Sequence, residues 1–403
     1  MLGCWSSNKC THRACRAHFS SLRADVVCTA VRLSTMAPAV VEEVTPTMRV
    51  LVATDSIGAL SSRQAGEVIA TGWRSAGEVS VLPMGEAGAG FVTAYADLAG
   101  AVTTSQVTDE AILTTAEGPH TSLLRVSGSS QGLGIPYGKS SRPIGDAIAA
   151  LLGKQAPERL VVDLAGLWIH DAGAGMLAAL GATGDRPLDQ GVGGLDGLSR
   201  LDLAPVRSLL SGTELIGVVP AAQFDLPLLG LRGITARAGR EANVPPEMML
   251  RTDAALEAFA RLASAAHAAA PGAGACGGLG FAVLTLGGRL STGPSLALAS
   301  SAGHAALHSV DLVVTGCSVF DFASRGGGVV ATMAEAASAS LSPCIVIAGE
   351  VLIGSREMRT MGIEAAYAVR ESMLDDLGLD SGGKVSGEEL ATTAQRVARS
   401  WSW

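Results

Sequence analysis

Residues 271–280 read P-G-A-G-A-C-G-G-L-G, with five glycines in ten positions. Lacking Cβ atoms, such a stretch can enter the left-handed backbone region and come into contact with a ligand or another segment. An alanine-rich, helix-like run at 252–270 leads in, and an apolar run from Phe281 to Leu286 leads out. A helix starting there would aim its first unpaired N–H groups back into the loop, which suits phosphate. Gly272, Gly274 and Gly277 spell G-x-G-x-x-G. In a dinucleotide-binding unit that pattern follows a strand, with an acid about 20 residues further on. Here a helix-like segment precedes it, and no Asp or Glu falls between Glu257 and Asp311. A Rossmann dehydrogenase is therefore excluded. Close packing of two helices is the other use for such glycines.

Working outward, one theme recurs on both sides. Downstream, Asp311 to Thr315 forms a buried-strand pattern, followed by a loop from Gly316 to Gly328 holding Asp321, Ser324 and Arg325. A helix from Val329 to Ala339 and a strand from Cys344 to Ala348 come next. Upstream, a strand from Arg159 to Leu164 leads into Ala165–Gly175, which contains His170, Asp171, Gly173 and Gly175, and then a short helix. Nearer the start, Arg49 to Thr54 reads as a strand closed by Asp55 and Ser56. Ser61 followed by Gln64 is a capping-box pattern for a helix whose inner face is Ala65, Val68, Ile69 and Trp73. A second strand from Glu78 to Pro83 then opens the loop Met84–Gly90, with Glu86 and Gly88. Strand, helix, strand is the signature of a parallel α/β sheet, and ligands of such sheets sit at the strands' carboxyl ends.

The whole chain narrows the class further. It has 403 residues and a net charge of −8, with 48% hydrophobic and 16% charged residues. Two domains are expected at that length. An acidic chain without a basic patch argues against nucleic acid as the partner. No apolar run approaches the ~20 residues of a membrane helix. Cys4, Cys10, Cys15 and Cys28 cluster at the start with His12 and His18, but without a C-x-x-C pair they do not make a zinc motif. Residues 1–47 show no sustained period and read as a disordered extension. The remaining body, with Cys276, Cys317 and Cys344 scattered, reads as a reduced cytoplasmic protein.

Asp55, Glu86, Asp171 and Asp321 lie in or beside loops at strand ends. Carboxylates next to backbone N–H cradles are what a Mg²⁺-nucleotide phosphotransfer site requires, to hold the metal and accept the proton of the attacking hydroxyl. Each alone is also an ordinary cap or turn former. The Walker pattern is absent from the sequence.

At these loops the sequence resembles the glycerate kinase family. The 271–280 stretch matches that family's P-G-A-G-A-A-G-G-L-G at all but one position. D-A-G-A-G-M-L-A-A-L-G at 171–181, Asp55-Ser56 with Leu60-Ser61-Ser62, Pro227 to Gly230, and Asp311 to Gly316 with Asp321 resemble further family motifs, in the family's order. The resemblance spans about Met48 to Arg370. It implies a flavodoxin-like parallel-sheet domain, 48–85 plus 271–400, with a second α/β domain, 86–270, inserted. It also implies ATP-dependent phosphorylation of glycerate with Mg²⁺. Asp171, Asp321 and Asp55 become the candidate catalytic residues, with Asp171 and Asp321 as metal ligands. Ser56, Glu86, Gly88, Gly173, Gly272, Gly274, Gly277, Gly278 and Arg325 become candidates for binding substrate or nucleotide. The departures are chemical: the family's motif lysines are missing, and Arg237, Arg240 and Arg325 are the cations available in their place. Two readings follow, an active kinase for a small hydroxy acid and a relative that keeps the fold and cleft without turnover.

Overall fold

The computed structural model describes residues 47–402 apart from 109–110, 129–131, 155, 309 and 371–384. The N-terminal extension up to residue 46, with its cysteines and histidines, lies outside the described residues, as does Trp403. Strands of three residues or more are β1 (Met48–Thr54), β2 (Gly77–Val81), β3 (Val102–Val107), β4 (Ala111–Glu117), β5 (Thr121–Gly128) and β6 (Arg159–Asp163). They continue with β7 (Glu214–Val218), β8 (Arg289–Ser291), β9 (Leu312–Gly316), β10 (Cys344–Ala348) and β11 (Ala365–Ala368).

Two sheets result. The first runs β2-β1-β9-β10-β11, with every pair parallel. Numbered by appearance within this sheet, the order is 2-1-3-4-5, the flavodoxin arrangement. Its central strands are continuous apolar runs because both faces are covered; Leu51, Val52, Val313, Val314, Ile345 and Val346 are all buried. The second sheet runs β8-β7-β6-β5-β4-β3. Its β8 to β5 portion is parallel, and β5, β4 and β3 form an antiparallel extension. The pairing therefore changes sheet after Ser291, not at the 270/271 boundary expected from the sequence. One buried cluster joins Leu51 and Val313 of the first sheet to Leu123, Val161 and Ile216 of the second, through Phe91, Val92, Tyr95 and Leu296.

Local sequence rules place the helices. Ser61 accepts from the Gln64 N–H while the Gln64 side chain accepts from the Ser61 N–H, which starts the helix Ser62–Ala70. Ala65, Ile69 and Trp73 are fully buried beneath it. The long helix is Pro246–Ser264, starting six residues before the expected Thr252, because Pro246 at its first turn is preset for helical φ. At the C-terminus the helix Gly387–Ala398 carries a second capping box, and Trp401 Nε1 donates to the Tyr367 hydroxyl at 2.8 Å.

The glycine stretch folds differently from a plain helix start. Within Ala275–Thr285, Cys276 (φ 52°), Gly277 (φ 70°) and Gly278 (φ 91°) are left-handed in succession. Ala172 (φ 50°) and Gly173 (φ 78°) form a second left-handed turn, and the Ala172 N–H donates to the Gly277 carbonyl at 3.1 Å. A Cβ at Gly277 would stand 2.1 Å from the Ile169 carbonyl oxygen, and one at Gly280 2.0 Å from that of Gly272. The glycines thus let two chain turns lock together. Gly277→Ala should cost on the order of 3 kcal/mol in denaturant unfolding, whereas Gly326→Ala, with open space at its Cβ, should stay within about 0.5 kcal/mol.

Candidate functional site

The site is assembled at the carboxyl ends of both sheets. In the first, the sheet order reverses between β1 and β9, and the Asp55 N–H donates to the Gly316 carbonyl there at 2.9 Å. The Ser318 hydroxyl donates to the Ser56 carbonyl and accepts from the Gly58 N–H, both at 3.1 Å. The Ser62 hydroxyl donates to the Thr54 carbonyl and accepts from the Met84 N–H, both at 2.7 Å. These bonds hold the ends of β1, β2 and β9 together.

The loop after β2 then reaches the second sheet. Asp163, the last residue of β6, accepts from the Gly88 N–H at 2.9 Å and from the Ala165 N–H at 3.0 Å. The Arg125 guanidinium lies 3.4 Å from the same carboxylate, close enough for charge but without an aligned hydrogen bond. Glu86 accepts from the Ala221 N–H, just past β7, at 2.9 Å. Its other oxygen, Oε2, is buried and has no hydrogen-bond partner among the described residues.

These acids feel one another. Burial raises Asp55, against the pull of the Ser56 N–H and hydroxyl and the Glu86 N–H. Burial also raises Glu86, and the Asp55 charge adds to it. Asp163 is pushed up to about 7, first by burial, with the Glu86 charge adding and Arg125 opposing. The Cys317 thiol is pushed up to about 12 by burial and by the charges of Asp55 and Asp321. The Asp55 charge thus acts on Glu86 and the Glu86 charge on Asp163, a run of three acids.

Two helix starts open onto this run. Phe91–Ala99 begins at Gly90 and Gly328–Ala339 begins at Gly327, neither with a side-chain cap. A Cβ at Gly90 would lie 3.8 Å from Asp55 Oδ1, and one at Gly328 3.8 Å from Glu86 Oε2. Unfilled N–H groups at these starts favour an anion. Asp321 instead caps its own turn by accepting from the Ser324 N–H at 3.2 Å, and Arg325 lies over the Phe322 ring at 5.2 Å.

Asp171 departs from expectation. It is fully buried and accepts from the Ser141 N–H and hydroxyl and from the Gly173 and Gly175 N–H groups, at 2.8–3.2 Å. A carboxylate so occupied fastens Ser141 to the start of the helix Ala174–Ala179. Gly173 serves that bond. Gly272, Gly274, Gly277 and Gly278 make chain contacts, although Gly274 and Gly277 also line a cavity of about 230 Å³ with Trp168, His170, Gln223 and Arg237. His170 there bonds Thr235 at 3.0 Å, and burial pushes it down to about 4, so it is neutral near pH 7. Arg237 contacts Glu241, and Arg240 donates to the Leu231 carbonyl. The buried acid that the sequence reading did not single out is Asp163, at the carboxyl end of a parallel strand.

The sequence profile of the Glycerate kinase family matches residues 50–402. The chain belongs to the glycerate kinase family. It is 33% identical to an uncharacterised protein of Mycobacterium bovis over 81% of this chain and 85% of that protein. It is 27% identical to the glycerate kinase of Bacillus cereus over 88% of this chain and 98% of the relative. A solved structure of a candidate glycerate kinase 2 from Salmonella typhimurium superposes with a TM-score of 0.71 at 26% identity, covering 88% and 98% of the two chains. Among the described residues no helix is long and apolar enough to cross a membrane.

The raised Asp163 gives a signed pH effect. Its folded-state pKa of about 7 lies above its ordinary value of 3.8, so the fold favours the protonated form. Stability attached to this group is full below about pH 4 and is lost as pH climbs through 7. Melting temperatures from pH 4 to 8 should fall for the wild type relative to Asp163→Asn. Parallel curves would contradict it.

Proposed function

We propose that this family member is an ATP-dependent kinase that phosphorylates glycerate or a closely related hydroxy acid, with Mg²⁺. The observation carrying the reading is Glu86 Oε2, a buried carboxylate oxygen without a donor, beside Asp55 and between two uncapped glycine helix starts. A buried anion left unpartnered calls for a cation.

The residues fit Mg²⁺ in a specific way. Among the described residues no group of three or more His, Cys, Asp or Glu side chains is placed to hold a metal ion. Mg²⁺ bound with a nucleotide needs one or two carboxylates, the rest of its shell coming from phosphates and water. Glu86 would hold it, and when bound it neutralises charge on the transferred phosphoryl group. The uncapped backbone N–H groups at the helix starts Gly90 and Gly327–Gly328 would donate to phosphate oxygens. Arg325, in the turn just before Gly327, is a cation available for the same charge.

The chemistry asked of the chain is then modest. The substrate hydroxyl oxygen bonds to the terminal phosphorus, the bond from that phosphorus to the bridging oxygen breaks, and the hydroxyl proton passes to a base. Asp55, raised by burial and at the reversal point of the sheet, is that base. Asp163 and Ala221 fix the Glu86 loop from the second sheet.

Purified protein with Mg²⁺-ATP and a panel of hydroxy acids should release ADP dependent on glycerate or a close analogue. Asp55→Asn should lower kcat by about 10²-fold or more. Absence of ADP release with every acid in the panel, from protein shown to be folded, would mean a family member that has kept the cleft and lost the chemistry.

A further inference from the structure

The amino ends of the second sheet's strands bound another cavity, at the edge opposite the carboxylate run. It measures about 430 Å³, and its wall includes Tyr95, Leu98, His120, Arg159, Arg289 and Leu296. Arg159 opens β6 and Arg289 opens β8. Glu214 opens β7 between them, 2.7 Å from Arg159 Nε and 3.1 Å from Arg289 Nε. One carboxylate thus serves two guanidinium groups through their Nε atoms, and the cavity wall itself carries both arginines and no acid. His120, also on the wall, is paired with Glu158 at 3.0 Å, and the Glu158 charge acts on Arg159 as well.

A second observation points the same way. Tyr95 is only 7% exposed, lines this cavity, and makes no side-chain hydrogen bond among the described residues. Burial pushes its phenol up, so the hydroxyl stays a neutral donor. A phenol donor on the wall of a cavity that also holds two arginines is placed to share an oxyanion with them.

We propose that this cavity binds a small organic anion, its carboxylate or phosphate oxygens held by Arg159, Arg289 and the Tyr95 hydroxyl, its carbon skeleton against Leu98 and Leu296. Size and lining suit a metabolite of modest length. The site is independent of the kinase reading, because it lies at the strands' amino ends. It shares one element with the carboxylate cleft: the helix Phe91–Ala99 begins at Gly90 beside Asp55 and carries Tyr95, Leu98 and Ala99 into this cavity.

Calorimetric titration of the full chain at low ionic strength, with malonate and with inorganic phosphate as probes, tests the assignment. Saturable binding of at least one probe is expected, and the stronger probe identifies the preferred head group. Tyr95→Phe, which keeps the ring and its packing, and Arg289→Gln should each weaken that binding about tenfold or more. Saturable binding of neither anion, or an affinity unchanged in either variant, overturns the proposal. Phosphate held at the glycine helix starts instead would show as that second outcome.

Discussion

Everything about this molecule's cleft depends on one loop being gripped from both sides. Residues 84–90 leave the first sheet after β2, yet the Gly88 N–H is taken by Asp163 of the second sheet, and Glu86 takes the Ala221 N–H beyond β7. Those two bonds bring the carboxyl ends of two sheets to a common point. Behind them, the cluster through Phe91, Val92 and Tyr95 keeps the sheets in contact over apolar surface. The bonds decide where the acids stand, and the apolar burial supplies most of the adhesion.

Such a point is electrostatically uncomfortable. Asp55, Glu86 and Asp163 are all raised by burial, and the Glu86 charge raises Asp163 as that of Asp55 raises Glu86. One arginine, Arg125, stands against Asp163 alone. A fold selected for stability alone would replace such a group with apolar side chains or give each oxygen a donor. Buried carboxylates, one with an orphaned oxygen, are the observation on which the proposed phosphotransfer site rests.

Much of the architecture was legible in the letters. The apolar runs at 50–53, 313–315 and 344–348 are strands because both faces are covered, and Ser61 with Gln64 starts its helix as the capping pattern requires. Asp55 and Glu86 were readable as acids at strand ends. Asp163 was not, because it reads as a letter inside the strand Arg159 to Leu164 and its partner Gly88 lies 75 residues upstream. Asp171 misled for a related reason: an Asp before A-G-A-G spells a ligand loop and a buried, four-donor cap alike. The glycines of 271–280 had the same ambiguity, since permission for close approach does not name what approaches. Only the backbone of Ile169, Ala172 and Gly272 answers that.

The most direct measurement is the affinity of the purified chain for ATP, titrated with and without Mg²⁺, in the wild type and in Glu86→Gln. A metal-nucleotide held at Glu86 predicts saturable binding that needs Mg²⁺ and weakens about tenfold or more in the variant. Binding that ignores Mg²⁺ and the substitution alike, or no binding by folded protein, would contradict the account.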